Sequence, residues 1–313
     1  MERSHSRGQV ETRLAPASLA MSSYFATKAT VGTVPSPIRV TVSNGIELHY
    51  VARGQGAALV LLHGGMGDLD SWSPQLELFS QSFHVITYSR RYSFPNRNPL
   101  RSFHHCAFTE ARDLVELLRT LRIESAHLVG TSYGAFVALA LAIGHPQLAR
   151  SLVLVEPPVH RWACESATGE VLYGEFIGNV WMPAARAFEA GLVMDAMRIL
   201  FEGMGGLGPF AELQPSLATR IIRNACSMEA LVRSSNPFPV LPRAVVRMLD
   251  VPALLLRGEH TIELHKRVND ALASALPLAD QFVISGAGHN SPRENPAEFN
   301  AVVSGFLAGQ HDR

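Results

Sequence analysis

Charge is scarce in this chain and evenly split. Charged residues make up 17% of the 313 positions, with 27 Lys and Arg against 27 Asp and Glu, a formal net charge of +0. Nucleic-acid binding calls for a basic stripe, and neither this balance nor any run of like charges supplies one, so no nucleic-acid partner is expected. Cysteine is scarcer still. Cys106, Cys164 and Cys226 are odd in number, widely spaced and match no zinc or redox spacing, which argues against a disulfide framework. Long apolar runs are also missing: the stretch from Gly134 to Gly144 falls well short of the roughly 18 residues that a membrane-spanning helix takes, so no span is expected. Neither Gly-x-x-x-x-Gly-Lys nor Gly-x-Gly-x-x-Gly after a first strand occurs, and nucleotide binding has no support. His260 to His265 carries metal-ligand residue types but fits neither zinc-helix spacing, and neither a metal nor any other cofactor is expected. What the chain does have is apolar bulk. Hydrophobic residues reach 47%, which fits a well-buried globular chain or one with an apolar cavity.

Residues 1–36 show no period of 3.6 or 2 and read as a poorly ordered extension. Arg3, Arg7 and Arg13 precede the weakly apolar Leu14 to Ala26, but Pro16 and several serines spoil it as a signal segment, so a cytoplasmic location is expected over secretion. From Ile38 onward strand and helix patterns alternate. Asn44-Gly45 between Ile38–Val42 and Ile46–Val51 signals a hairpin. Ala58–Leu62, Val85–Tyr88, His127–Gly130 and Leu152–Val155 read as buried parallel strands, and Leu114, Leu117, Leu118 and Leu121 mark the apolar stripe of a helix between them. This rhythm predicts an α/β fold with an open, mostly parallel sheet covered by helices on both faces. It breaks after Glu156-Pro157-Pro158. Residues 158–247 show helical spacing only, through Phe188, Leu192, Ala196, Ile199 and Leu200 and again through Leu217 to Met228, before strands and helices resume at Val251. The chain is therefore divided into an extension over 1–36, a core of 37–157 and 248–313, and a helical cap over 158–247.

Gly130-Thr131-Ser132-Tyr133-Gly134 lies between a strand and a helix, the context in which Gly-x-Ser-x-Gly makes a nucleophile elbow; the plainer reading is a serine capping the helix. With His63-Gly64-Gly65-Met66-Gly67 after the third strand, and Gly286-Ala287-Gly288-His289 followed by Glu294-Asn295-Pro296 after the last, the sequence resembles the α/β-hydrolase superfamily from Ile38 to Leu307. The resemblance implies an eight-stranded sheet with the cap inserted after strand six, Ser132 as nucleophile and His289 as general base. It assigns the oxyanion-hole N–H groups to Gly65 and Tyr133, with Met66 a weaker candidate, and gives His63 a structural part in shaping that loop. The chemistry asks for the same pair, since a serine hydroxyl becomes a useful nucleophile only when an imidazole takes its proton.

The acid departs from the common pattern. Relatives usually carry Asp in a Gly-Glu-His-Asp segment, and here the segment reads Gly258-Glu259-His260-Thr261. Glu156, ending strand six, resembles the acid of haloalkane dehalogenases and zearalenone-type lactonases in position, and is the expected third member. Glu259 is the alternative. Another departure follows strand four, where Ser89-Arg90-Arg91-Tyr92-Ser93-Phe94-Pro95-Asn96 replaces a glycine-rich pattern. A reshaped loop that narrows the pocket is expected there, with Arg90 and Arg91 bonded to loop carbonyls or acids.

The function this implies is a cofactor-independent serine hydrolase, an esterase or lactonase acting on a neutral, fairly hydrophobic small molecule. A lyase or cofactor-free oxygenase on the same fold, and a non-catalytic small-molecule receptor, stay open as alternatives. The oligomeric state is open as well, a homodimer included.

Overall fold

The computed structural model describes residues 36–100, 104–205 and 208–310. The expected extension over 1–36 lies, but for Ser36, outside the described residues. Eight strands form one sheet in the order β1-β2-β4-β3-β5-β6-β7-β8. They are β1 (Ile38–Thr41), β2 (Glu47–Arg53), β3 (Ala58–Leu62), β4 (His84–Tyr88), β5 (Ala126–Thr131), β6 (Ala149–Val155), β7 (Ala253–Gly258) and β8 (Ala279–Ile284). The first two strands pair antiparallel, β2 joins β4 antiparallel, and every other pairing is parallel. The hairpin turns where Asn44-Gly45 predicts: Gly45 adopts φ 79° and its N–H bonds the Val42 carbonyl at 2.8 Å.

Twelve α-helices accompany the sheet among the described residues. Those of the core are α1 (Ser73–Phe79), α2 (Ala107–Thr120) and α3 (Tyr133–Gly144), and later α10 (Glu263–Ala273), α11 (Ser291–Glu294) and α12 (Pro296–Ala308). Between β6 and β7 come α4 (Ala167–Phe176), α5 (Met182–Glu189), α6 (Val193–Gly203), α7 (Pro215–Arg223), α8 (Ala225–Val232) and α9 (Arg243–Arg247). Alternation along the strands explains why both faces are covered. In β3, Leu59 and Leu61 pack with Trp72, Phe79 and Phe299 of the α1 and α12 side, while Val60 and Leu62 pack with Leu114, Phe136 and Leu139 of the α2 and α3 side. Helix α3 is apolar around its circumference and buried from Tyr133 to Ala142, as a helix wedged between sheet and neighbours must be.

The cap segment is helical, but two stretches that read as single helices are each divided. Phe188 and Leu192 fall on either side of a break, because Gly191 at φ 73° ends α5 before α6 begins. Leu217 to Met228 is cut at Asn224, whose buried side chain is drawn into bonds with Asp68 and the Arg220 carbonyl. Trp162, Phe176, Trp181, Phe188, Met197, Phe210 and Met228 of this segment are buried with the core cluster, whereas Met182 and Met194 are exposed.

Candidate active site

Ser132 stands at the turn from β5 into α3 with φ 50° and ψ −123°, a conformation that costs an L-residue about 1–3 kcal/mol. The flanking glycines make the turn possible by close approach. A Cβ on Gly130 would sit 2.6 Å from the Ala135 backbone, and one on Gly134 would sit 2.3 Å from the Leu62 carbonyl oxygen. The serine is tied to the neighbouring strand by its N–H, which bonds the Val155 carbonyl at 2.7 Å.

Two residues further along the sheet edge stand against it. Glu156 follows β6 with a positive φ of 46°, and His289 lies in the loop after β8. His289 Nδ1 is 2.6 Å from Glu156 Oε2, and its Nε2 is 3.0 Å from Ser132 Oγ. A carboxylate can only accept, so Nδ1 donates to Glu156 and Nε2 is left to accept the serine hydroxyl proton. The structure thus brings Ser132, His289 and Glu156 into one hydrogen-bonded row. It does not bring Glu259 to them: that carboxylate is exposed and accepts from the Gly286 N–H at 2.8 Å.

Glu156 is buried and surrounded by donors. Oε1 accepts from the Gly258 N–H at 2.8 Å; Oε2 accepts from Thr261 Oγ1 at 2.7 Å and lies 3.1 Å from His265 Nδ1. Burial alone would favour the neutral acid, but the hydrogen bonds from His265 and His289 outweigh it and hold the carboxyl well below its usual range. Thr261, standing where relatives carry the acid, therefore donates to the carboxylate that replaces it. His265 and Thr261 escape a motif reading, although their i, i+4 spacing was a signal that both meet one partner. Ligand-type atoms of Glu156, His265 and His289 lie within 4.8 Å of one another, the arrangement among the described residues best suited to a metal ion. An ion there would take Nδ1 of His289 and its carboxylate partner together, at the expense of the row.

The loop after β3 is clamped from beneath. The Gly64 carbonyl oxygen accepts from His63 Nδ1 at 2.8 Å, from Arg90 Nη2 at 3.1 Å and from the Gly67 N–H at 3.1 Å. In a trans peptide the C=O and the following N–H point in opposite directions, so this clamp turns the Gly65 N–H away from His63 and Arg90. Tyr133 opens α3, where the first N–H groups have no acceptor within the helix. Arg90 also donates from Nε to the His63 carbonyl at 3.0 Å and pairs with Glu110, which His105 joins at 2.7 Å. Arg91 pairs with Asp113 at 2.6 Å. The two arginines thus bond carbonyls and acids as the sequence suggests. The pocket-narrowing role expected of this loop is not found, because residues 89–96 contribute nothing to the cavity lining. The loop is instead tied to the segment between β6 and β7, where Asn224 Oδ1 accepts from the Phe94 N–H at 2.8 Å.

A cavity of about 130 Å³ opens on Ser132 and His289. Gly64, Gly65 and Met66 line it from the core, and Phe201, Met204, Leu217 and Ile221 from the helices between β6 and β7.

A profile of the α/β-hydrolase fold family matches residues 57–296. The chain belongs to that family. Among the relatives of this α/β hydrolase, the human serine hydrolase BPHL is 34% identical over 302 residues, covering 89% of each chain. The carboxylesterase YbfK of Bacillus subtilis is 25% identical over 274 residues, covering 84% of this chain and 85% of its own. Two solved structures share the fold at a TM-score of 0.70: Est816, described as an N-acyl homoserine lactone degrading enzyme, at 24% identity over 86% of this chain and 100% of that one, and the enol-lactonase from Burkholderia xenovorans LB400, at 21% identity over 87% and 100%.

Three buried histidines make the hydrolase sensitive to acid. Burial, aided by the Arg90 charge, lowers His63 to about 3; burial and the charges of His265 and His289 place His160 well below its ordinary value; burial and His289 lower His265. His160 stacks on His265 at 5.5 Å between Phe176 and Phe238, a setting that cannot solvate a proton. Because the folded values lie below the unfolded one, the unfolded chain takes up protons first as the pH falls through 6.5, and stability present above that value drains away beneath it. His63 alone should remove about 1.5 kcal/mol of unfolding free energy between pH 6.5 and 5, and His160 and His265 act in the same direction. Urea titrations across that range check this, and a flat profile would contradict the neutral assignments.

Proposed function

We propose that the protein is a serine hydrolase that cleaves carboxylic esters or lactones through an acyl-enzyme. The observation that carries the reading is His289 bonded on one side to Ser132 and on the other to a buried carboxylate. In this scheme Ser132 Oγ attacks the carbonyl carbon and passes its proton to His289 Nε2. Glu156 holds the ring by Nδ1 and stabilises the imidazolium that forms. The negative charge on the carbonyl oxygen falls between the N–H groups of Gly65 and Tyr133. His289 then protonates the departing alkoxide, which for a lactone stays attached as the far end of the acyl chain. Water, deprotonated by the same nitrogen, resolves the ester. Each proton has a carrier within the chain, and the scheme calls for no cofactor.

The apolar lining favours an aliphatic or aromatic group beside the scissile carbonyl. Its volume of about 130 Å³ is comparable to an engineered cavity of about 150 Å³ that holds benzene, so the enclosed part of the substrate is a small ring or short chain. Esterase and lactonase relatives support the class.

A fluorophosphonate decides the matter directly. One equivalent should add to the wild type with the mass of the phosphonyl group, map to Ser132 and abolish ester turnover, while folded Ser132→Ala takes up none. A wild type that stays unmodified, or an adduct elsewhere, overturns the proposal in favour of a non-hydrolytic enzyme or a receptor.

A further inference from the structure

Among the described residues, Arg90, Arg91, Arg223, Arg220 and Arg293 fall into two groups by their partners. Arg90 and Arg91 are neutralised by Glu110 and Asp113. Arg223 is neutralised twice, by Asp68 and Asp70, each at 2.7 Å, and its guanidinium lies over the Phe94 ring. Arg220 and Arg293 differ. Both line the cavity that opens on Ser132, and neither has a carboxylate within 4 Å among the described residues. Arg220 shares one face of α7 with Leu217 and Ile221, so the face that supplies apolar lining also carries a cation into it. Arg293 comes from the short α11 that follows His289.

Leaving the Arg220 guanidinium half-buried in an apolar lining with no carboxylate in contact is unfavourable, while Arg293 presents an exposed cation at the rim. Burial pulls the Arg220 pKa below its ordinary value, and the like charges of Arg293 and Arg223 add to this, so that the attraction of Asp68 and Asp70, which Arg223 already engages, does not restore it. An anion bound there would relieve that cost, and a planar guanidinium matches a carboxylate through two parallel hydrogen bonds.

We infer that the ester or lactone cleaved at Ser132 carries a free carboxylate, which Arg220 and Arg293 bind at the cavity while the apolar lining holds the chain between. The inference rests on the serine-hydrolase reading and refines its substrate class. It departs from the neutral substrate expected from the lack of a charged cluster in the sequence, because two arginines far apart in sequence both line the cavity. Both a charged end and an apolar middle then become requirements. The pair also predicts that simple neutral esters are poor substrates.

The test compares 4-nitrophenyl monoesters of glutaric, adipic and suberic acids with the same esters ending in a primary amide, alongside 4-carboxyphenyl and 4-carbamoylphenyl acetate to place the charge on the leaving group. At least one carboxylate should exceed its amide by about 10- to 100-fold in kcat/KM, the range for a hydrogen-bonded charge. That ratio should fall towards one in Arg220→Gln, fall partway in Arg293→Gln, and shrink with added salt. Turnover of the amides equal to that of the carboxylates throughout would overturn the anion inference and leave the hydrolase reading standing. No turnover of any ester beyond that of Ser132→Ala would bring down the hydrolase reading, and this inference with it.

Discussion

Glu156→Gln should lower kcat for a nitrophenyl ester by about 10⁴-fold, with KM little changed, while Glu259→Gln stays within a few-fold of the wild type. The geometry explains why an isosteric change costs so much. The carboxylate accepts on both oxygens, from the rigid Gly258 N–H on one side and from Thr261, His265 and His289 on the other. A glutamine has one acceptor and one amide donor. The backbone N–H cannot reverse its role, so the amide oxygen settles on Gly258 and the NH₂ faces His289. The ring must then offer Nδ1 as an acceptor and carry its proton on Nε2, where it can no longer receive the one from Ser132. Glu156 lies outside the cavity lining, which is why KM should hardly respond. Glu259 accepts from the Gly286 N–H, a bond that a glutamine oxygen also makes, and its further neighbour is the exposed His260 at 4.0 Å. Steady-state kinetics on both variants, with circular dichroism to confirm folding, settle the comparison. A severe loss confined to Glu259→Gln would reverse the assignment.

The parts of this site that could be read from the sequence are those encoded in a few consecutive residues. The elbow needs a strand, two glycines in close contact with neighbouring backbone and a serine between them, all within Gly130 to Gly134. Glu156 could be placed because a strand end at this edge of the sheet faces the site whatever follows it. Its further partners could not, since Thr261 and His265 reach it from the far side of the segment between β6 and β7. The same limit hid the breaks within that segment. Hydrophobic spacing runs on through Gly191 and Asn224, and what ends the helices there is a positive φ in one case and, in the other, a buried side chain bonded to Asp68 of the core. Which arginines stand without a carboxylate in contact was hidden for a related reason: pairing in space, not composition, decides it.

Arg90→Met should cost about 3–5 kcal/mol of stability and reduce kcat on the order of 10²-fold, although the side chain bonds neither Ser132 nor His289. Arg90 is fully buried and joins three groups: the His63 carbonyl, the Gly64 carbonyl and Glu110. Removing it leaves Glu110 a buried anion whose low pKa, about 2 against the penalty of burial, depends first on Arg90 and then on His105. It also frees two carbonyls that held the peptide after Gly64 in place, so the Gly65 N–H loses its fixed direction. The two consequences can be separated. Adding Glu110→Gln removes the uncompensated charge and should restore part of the stability, but it gives the Gly64 carbonyl no new donor, and kcat should stay low. Urea unfolding and ester kinetics on the single and double variants provide both readouts. Wild-type turnover in Arg90→Met would show that His63 and Gly67 alone orient the oxyanion peptide, and the positioning role assigned to Arg90 would fail.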